Sequence, residues 1–523
     1  MYDYIIVGAG SAGCVLANRL TEDPAVKVLL LEAGGPDDKM EIHIPVTFGQ
    51  LFKSGVDWAY MTEPQAALEQ RSLYWPRGKV LGGSSSLNAM IYIRGHGAVY
   101  DSWEEAGNEG WEYTDLLPYF KRAEHQERGE SEHHAVGGPL NVADLRDPNP
   151  LSTAFVEACA EIGLPRNDDF NGAEQSGFGY YQVTQKAAQR WSAAAAYLRP
   201  ALERPNLTVQ TQAQAERVLF DGTRAVGVAY LHEGASHEAR ASREVLLCGG
   251  SINSPQLLLL SGVGPADQLQ ELGLASVVDL PGVGQNLQDH LAIFVAYHCN
   301  EPVSLANAAT AEALESYQTA GKGPLSSNVG EAGGFMTINP ASPSPDLQFH
   351  FAPGWFIEHG FVNPGGHGLT FGPTMVLPAS RGNVSLRSTN PLEPPHIQPN
   401  YLSESADMEI LVEGVKLARQ MAKAPAFARY VGEEFAPGPQ VQSDDEIRAF
   451  IRSNVETLYH PVGTCKMGND SMAVVNAQLQ VHGTQGLRVV DASIMPEIVN
   501  GNTNAPTIMI AVKAADMIKM ARA

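Results

Sequence analysis

Positive charge is scarce in this 523-residue chain: 35 lysines and arginines stand against 58 aspartates and glutamates, a formal net charge of −23. A nucleic-acid partner needs a basic face to neutralise phosphates, and no Lys/Arg-rich run supplies one. The same shortage argues against an electrostatic anchor on an anionic membrane. Apolar runs are short as well, none approaching the ~18 residues of a membrane span. Cysteine is rare: Cys14, Cys159, Cys248, Cys299 and Cys465 are odd in number, widely spaced and lack a CxxC pair. Neither a disulfide framework nor a zinc site is expected, and the five read as small buried hydrophobes in a reducing compartment. Glycine (51) and proline (34) stay well below low-complexity levels, so disorder and collagen-like structure are excluded.

What is present is a large apolar share, 44%, with only 18% charged residues, enough to build a sizeable core. The length allows three or four units or two large interleaved ones. Ile5–Ile6–Val7 is a continuous apolar strand starting almost at the first residue, so no signal peptide is expected and the predicted location is the cytoplasm. Gly8-Ala9-Gly10-Ser11-Ala12-Gly13 follows, then a helix with Val15, Leu16, Ala17 and Leu20 apolar, then a second buried strand, Val28–Leu31, ending at Glu32. The glycines differ in purpose. Gly8 permits the tight turn, Gly10 lets backbone approach a pyrophosphate closely, and Gly13 allows close helix–strand packing. The helix N-terminus offers free N–H groups to phosphates. Glu32, about 20 residues past Gly13, is placed to accept from ribose hydroxyls and would repel a phosphate there, which disfavours NADP. Strand, turn, helix, strand and acid in order make this a dinucleotide site.

Val245–Leu247 running into Cys248-Gly249-Gly250, and Leu487–Val490 ending in Asp491, read as further strands of the same sheet. A discontinuous nucleotide-binding domain follows, over 1–40, 75–110, 205–300 and 455–523. An α+β substrate-binding or lid domain takes 41–74, 111–204 and 301–454, with a helix from Ser405 to about Met421. No internal repeat is visible.

Three later segments carry chemistry. Gly78-Lys79-Val80-Leu81-Gly82-Gly83-Ser84-Ser85-Ser86-Leu87-Asn88 is a loop able to press backbone against a flat ligand. Gly250–Gly264 reads as a turn, a helix opened by Ser254-Pro255, and a glycine stop. Tyr459-His460-Pro461-Val462-Gly463-Thr464-Cys465-Lys466-Met467-Gly468 is followed by Val490-Asp491-Ala492-Ser493 and Gly501-Asn502-Thr503-Asn504-Ala505-Pro506-Thr507. Together, from Tyr2 to the C-terminus, these resemble the glucose–methanol–choline (GMC) family of FAD-dependent oxidoreductases. Tyr74–Lys79, Asn286-Leu287-Gln288-Asp289-His290 and Gly501–Ile510 are similar to choline dehydrogenases and equally to flavin-dependent alkanol dehydrogenases.

The resemblance implies an α/β fold, a Rossmann-like FAD domain with a discontinuous α+β substrate domain over the isoalloxazine ring. It implies FAD contacts at Gly8, Gly10, Ser11, Ala12, Gly13, Glu32 and Ala33; at Val80, Gly82, Gly83, Ser84, Asn88, Ala89 and Met90; at Val218 and Gly249; and at Asp491, Ala492, Asn502 and Thr503. His460 matches the family's active-site histidine. Asn504 matches the second polar catalytic position, with Asn502 as the neighbouring choice. A neutral histidine suits proton removal from a hydroxyl near neutral pH, and an asparagine amide suits stabilisation of the developing alkoxide. Some family oxidases bind FAD covalently through a histidine before the asparagine of the first signature. Leu87 stands there before Asn88, so the FAD is expected to be non-covalent.

Pro506 fits the first turn of a C-terminal helix whose N-terminus would face the flavin pyrimidine edge. Glu331 and Trp355 are substrate candidates, the former also readable as a structural carboxylate at the domain boundary. His125, His133 and His134 read as an exposed polar loop, and no metal is expected.

The expected activity is oxidation of a primary alcohol to its aldehyde, with electrons passed to a quinone or similar acceptor. Peripheral association with the inner membrane is left open as the route to that quinone. The alternatives are an O₂-using alcohol oxidase, a choline dehydrogenase and, more remotely, a flavin-containing hydroxynitrile lyase.

Overall fold

The computed structural model describes residues 1–521. Its first sheet is parallel at its centre, in the order Leu207–Gln210, Val28–Leu31, Tyr2–Val7, Val245–Leu247 and Leu487–Val489. Every residue of Val28–Leu31 is buried, as the unbroken apolar run requires of a strand covered on both faces. Residues 235–247 form one long strand. Its first half leaves the parallel core to pair antiparallel with Arg224–His232, which pairs with Ala213–Asp221.

The second sheet is antiparallel: Val431–Ala436, Val295–Cys299, Gly368–Met375, Leu347–Ala352, Ala332–Met336 and Gly177–Tyr180. Helix Ser405–Ala422 lies on it. In Leu347–Ala352 the alternation of a pleated strand is plain: Leu347, Phe349 and Phe351 enter the core of this part, while Gln348 and His350 face the opposite way.

Two large hydrophobic cores result among the described residues, and their membership runs across the expected boundaries. Leu116, Phe120 and Ala123 occupy one face of helix Tyr113–Ala123, which packs on helix Asn504–Met520. These residues, with Leu140, Val142, Ala193, Ala194, Ala196, Tyr197 and Leu198, belong to the core around the parallel sheet, whereas Leu151, Phe155 and Cys159 of the same expected 111–204 span belong to the other. Conversely Leu287, Leu291, Ile293 and Val295 join the second core, because Leu291–Ala292 and Val295–Cys299 are strands of the antiparallel sheet.

The helix expected to open at Ser254-Pro255 begins at Gly250 and carries Pro255 inside it. The proline leaves the Ser251 carbonyl without its helical donor, and the Thr464 hydroxyl takes that place at 2.7 Å. Pro506 does sit in the first turn of helix Asn504–Met520. His134 corrects the reading of an exposed loop: it is buried between Glu124 and Asp169, 3.1 and 2.9 Å away, beside the fully buried Arg94–Glu124 pair at 2.7 Å.

Candidate active site

A continuous cavity runs from the carboxyl ends of the parallel strands to the face of the antiparallel sheet. At the first end the main chain does most of the work. Gly8 has φ +101°, and a Cβ on Gly13 would lie 1.8 Å from the Gly8 carbonyl oxygen, so helix and strand can meet this closely only without side chains. The second glycine loop locks onto the first through Gly82 N–H donating to the Ala9 carbonyl at 2.8 Å. Glu32 accepts from Ala9 N–H at 2.9 Å and Gly34 N–H at 2.8 Å. Burial nonetheless pushes its carboxyl up to about 7.

Gly10 tests whether the site fits a dinucleotide. A Cβ there would meet no protein atom nearer than the Gly83 Cα at 3.9 Å, and it lines the cavity. Backbone left bare where no protein atom needs the room fits the close approach of a diphosphate. The Rossmann-type turn and the Glu32 carboxylate fit the remainder of an adenine dinucleotide.

At the other end stands His460, presented by a turn in which Tyr459 has φ +70°, a strained value for a bulky residue. Three contacts hold the turn. Asp289 accepts from His460 N–H at 2.7 Å and from the Thr457 and Tyr401 hydroxyls, Thr457 Oγ1 accepts from Tyr459 N–H at 2.9 Å, and Arg77 donates to the Tyr459 carbonyl. Burial raises Asp289 to about 6, opposed by those hydrogen bonds. The imidazole of His460 has Asn502 Nδ2 at 3.3 Å from Nε2 and His290 Nδ1 at 2.9 Å from Nδ1. Burial, followed by His290, His350 and Arg77, holds the His460 pKa well below the usual histidine value.

The structure separates the two asparagines offered for the second polar position. Asn504 is the first residue of the C-terminal helix and its Oδ1 accepts from the Ser11 hydroxyl at 2.7 Å, which ties that helix to the nucleotide-side helix. Asn502, two residues earlier, is the amide beside His460. Both line the cavity, as do Gly8, Ser11, Ala12, Ala33, Ser84, Asn88, Ala89, Met90, Gly249, Asp491, Ala492 and Thr503. Gly13, Val80, Gly82 and Gly83 stand behind the wall and shape it. Val218 is elsewhere, its N–H donating to Ser261 Oγ at 2.8 Å, and Ala213–Ala215 line the cavity instead.

The substrate candidates also fall outside the lining. The Glu331 carboxylate is consumed by the Ser152 and Ser327 hydroxyls at 2.6 and 2.5 Å and by Asn149 N–H at 2.8 Å. Trp355 donates to the Gly365 carbonyl at 3.3 Å and packs edge-on against His298 and Phe435. The side chains that do surround the His460 end are Phe48, Phe52, Phe294, Val329, Phe356 and Tyr459. His290, Gln348 and Tyr459 were not singled out as candidates in the sequence, because side chains brought together from distant segments leave no spacing signal along the chain.

GMC oxidoreductase family models match residues 2–292 and 378–511. An alcohol dehydrogenase (acceptor) of Pseudomonas putida is 51% identical over 99% of this chain and 96% of its own length. The mitochondrial choline dehydrogenase of Homo sapiens is 49% identical over 99% and 90%. Among solved structures, pyridoxine 4-oxidase from Mesorbium loti superposes with a TM-score of 0.91 at 33% identity, covering 99% of both chains. A formate oxidase of Aspergillus oryzae RIB40, described in connection with FAD modification, gives 0.94 at 28% identity over 99% and 98%.

Proposed function

The chain belongs to the GMC oxidoreductase family and is an FAD-dependent enzyme acting on CH–OH donors; on that premise we propose that it oxidises apolar primary alcohols to aldehydes and passes the electrons to a quinone or similar acceptor. The observation that carries this reading is the His460–Asn502 pair, 3.3 Å apart, at the phenylalanine-rich end of the cavity. FAD, held non-covalently with Leu87 at the position before Asn88, supplies the hydride acceptor when bound. His460 Nε2 takes the hydroxyl proton, and the Asn502 amide donates to the oxygen on which negative charge grows. The aromatic wall excludes water and orients the carbon chain.

The charge around the chamber favours an apolar alcohol over choline. Among the described residues, the carboxylates lining the cavity are Glu32 and Asp491, both at the nucleotide end, and Glu331 is occupied by its three donors. A quaternary ammonium would find aromatic faces there and no counter-charge. Among the described residues no helix is long and apolar enough to cross a membrane, so a lipid-soluble quinone would be met at the membrane surface. Anaerobic mixing of the holoenzyme with an alcohol panel tests the reading. Medium-chain and benzylic alcohols should bleach the flavin bands at far lower concentration than choline, and reoxidation should be faster with a quinone than with O₂. Preferential bleaching by choline overturns the substrate class. Persistent colour with aldehyde release from a hydroxynitrile supports a lyase.

The buried histidines predict a pH pattern. His460 stays neutral through pH 6.5, so the rate of flavin reduction should show no falling limb there. Stability behaves differently. His290 and His350 are held at about 3 by burial, whereas unfolded histidines protonate near 6.5, so the melting temperature should fall as the pH drops from about 6.5 toward 3. A rate that halves at pH 6.5 while stability holds would contradict both assignments.

A further inference from the structure

The antiparallel register places His290 opposite Val376, since Leu291 pairs with Met375. The Val376 carbonyl lies 3.1 Å from His290 Nε2 and can only accept, so that nitrogen carries the hydrogen. In a neutral ring Nδ1 is then a bare lone pair. It faces His460 Nδ1 across 2.9 Å with the rings perpendicular, a gap bridged by one hydrogen. That hydrogen must come from His460, which leaves His460 Nε2 unprotonated on the side of Asn502 and the chamber. Full burial of His290 supports its neutral form.

A second chain reaches the same pair from another strand. The Tyr181 hydroxyl donates to the Phe349 carbonyl, so its oxygen is free to accept from Gln348 Nε2 at 3.1 Å. The same Nε2 donates to Asn502 Oδ1 at 3.1 Å. Asn502 therefore turns its NH₂ toward His460 Nε2, where it needs an acceptor. Gln348 Oε1 is left without a partner. The flipped amide would be worse, setting that oxygen against two acceptors.

We propose that His290 and Gln348 are positioning residues whose hydrogen-bond chains, anchored on the Val376 and Phe349 carbonyls, hold His460 as the Nδ1–H tautomer and Asn502 with its amide NH₂ toward the reacting oxygen. This deepens the alcohol-oxidation reading and rests on it for its consequence. The tautomer itself is a property of the resting protein. Each chain fixes one partner, and each partner's orientation satisfies the other, so the two reinforce one another.

Nitrogen-15 spectroscopy of histidine-labelled holoenzyme without substrate, with His460 assigned by loss of its signals in His460→Gln, tests this directly. The expected wild-type spectrum has protonated Nδ1 and bare Nε2. In His290→Phe a population with protonated Nε2 should appear, and flavin reduction at saturating alcohol should slow about 10–100-fold, the usual range for an outer partner, with substrate affinity little changed. Combining it with Gln348→Met should slow the step by more than the product of the two single effects. A wild-type His460 with protonated Nε2 overturns the proposal, whatever the substrate proves to be. So does a His290→Phe enzyme whose tautomer and rate match wild type. A correct tautomer in an enzyme that oxidises no alcohol would leave the positioning intact and remove the functional reading alone.

Discussion

Replacing His460 with alanine should leave FAD bound and slow its reduction by alcohol about 10²–10⁴-fold, the span attributed to a positioned general base. That range corresponds to about 2.7–5.5 kcal/mol of lost transition-state stabilisation. An aliphatic hydroxyl near neutral pH surrenders its proton only to a base already within hydrogen-bond reach. At the apolar end of the cavity His460 has an amide donor, Asn502 Nδ2, 3.3 Å from its Nε2. FAD retention should survive because the nucleotide end is built from the Gly8–Gly13 turn, Glu32 and the Gly82–Ser84 loop, none of which depends on the imidazole. The backbone of position 460 keeps its bond to Asp289 in the variant. The alanine also leaves a hole of imidazole shape, so added imidazole should recover part of the rate. Reduction at near wild-type speed would remove His460 from the role of base.

The nucleotide end was almost fully legible in the sequence because its determinants are local. Gly8, Gly10, Gly13 and Glu32 lie within one βαβ unit: Gly8 and Gly13 answer to the close backbone packing of the turn, Gly10 to room on the cavity side, and Glu32 to the end of the second strand. The His460 end is assembled from distant segments, and there spacing along the chain decides much less. Asn502 and Asn504 are separated by one residue, yet the start of the C-terminal helix falls between them. One side chain turns to His460 and the other to Ser11. No spacing rule indicates where that helix begins. Glu331, just before the strand Ala332–Met336, was a substrate candidate because a carboxylate could meet a quaternary ammonium. Its three donors, Asn149, Ser152 and Ser327, come from other segments and could not be seen beside it. The domain limits are hard to read for a similar reason: helix Tyr113–Ala123 shows an apolar face, but nothing in it says which core that face will meet.

Gly10→Ala should yield a protein that folds as well as wild type without FAD and binds FAD poorly, whereas Gly13→Ala should fail to fold. The two positions are three residues apart in the same turn, and the contrast follows from what surrounds each. At Gly13 an added Cβ would lie 1.8 Å from the Gly8 carbonyl oxygen, main chain that cannot yield without breaking the turn. At Gly10 the backbone angles, φ −78° and ψ −161°, are ordinary for any residue, and the new methyl faces the cavity with Gly83 Cα at 3.9 Å as its nearest neighbour. Apoprotein stability should therefore hold, or rise by about 0.4–1 kcal/mol because alanine restricts the unfolded chain. The methyl instead occupies room meant for the diphosphate. Crowding of that size costs about 1–3 kcal/mol, a loss in FAD affinity of about 5–150-fold. Thermal melts of both apoproteins, together with FAD titrations of Gly10→Ala, separate the outcomes. A Gly10→Ala protein with wild-type FAD affinity would mean that the diphosphate does not lie against this turn, and the placement of the cofactor would have to be abandoned.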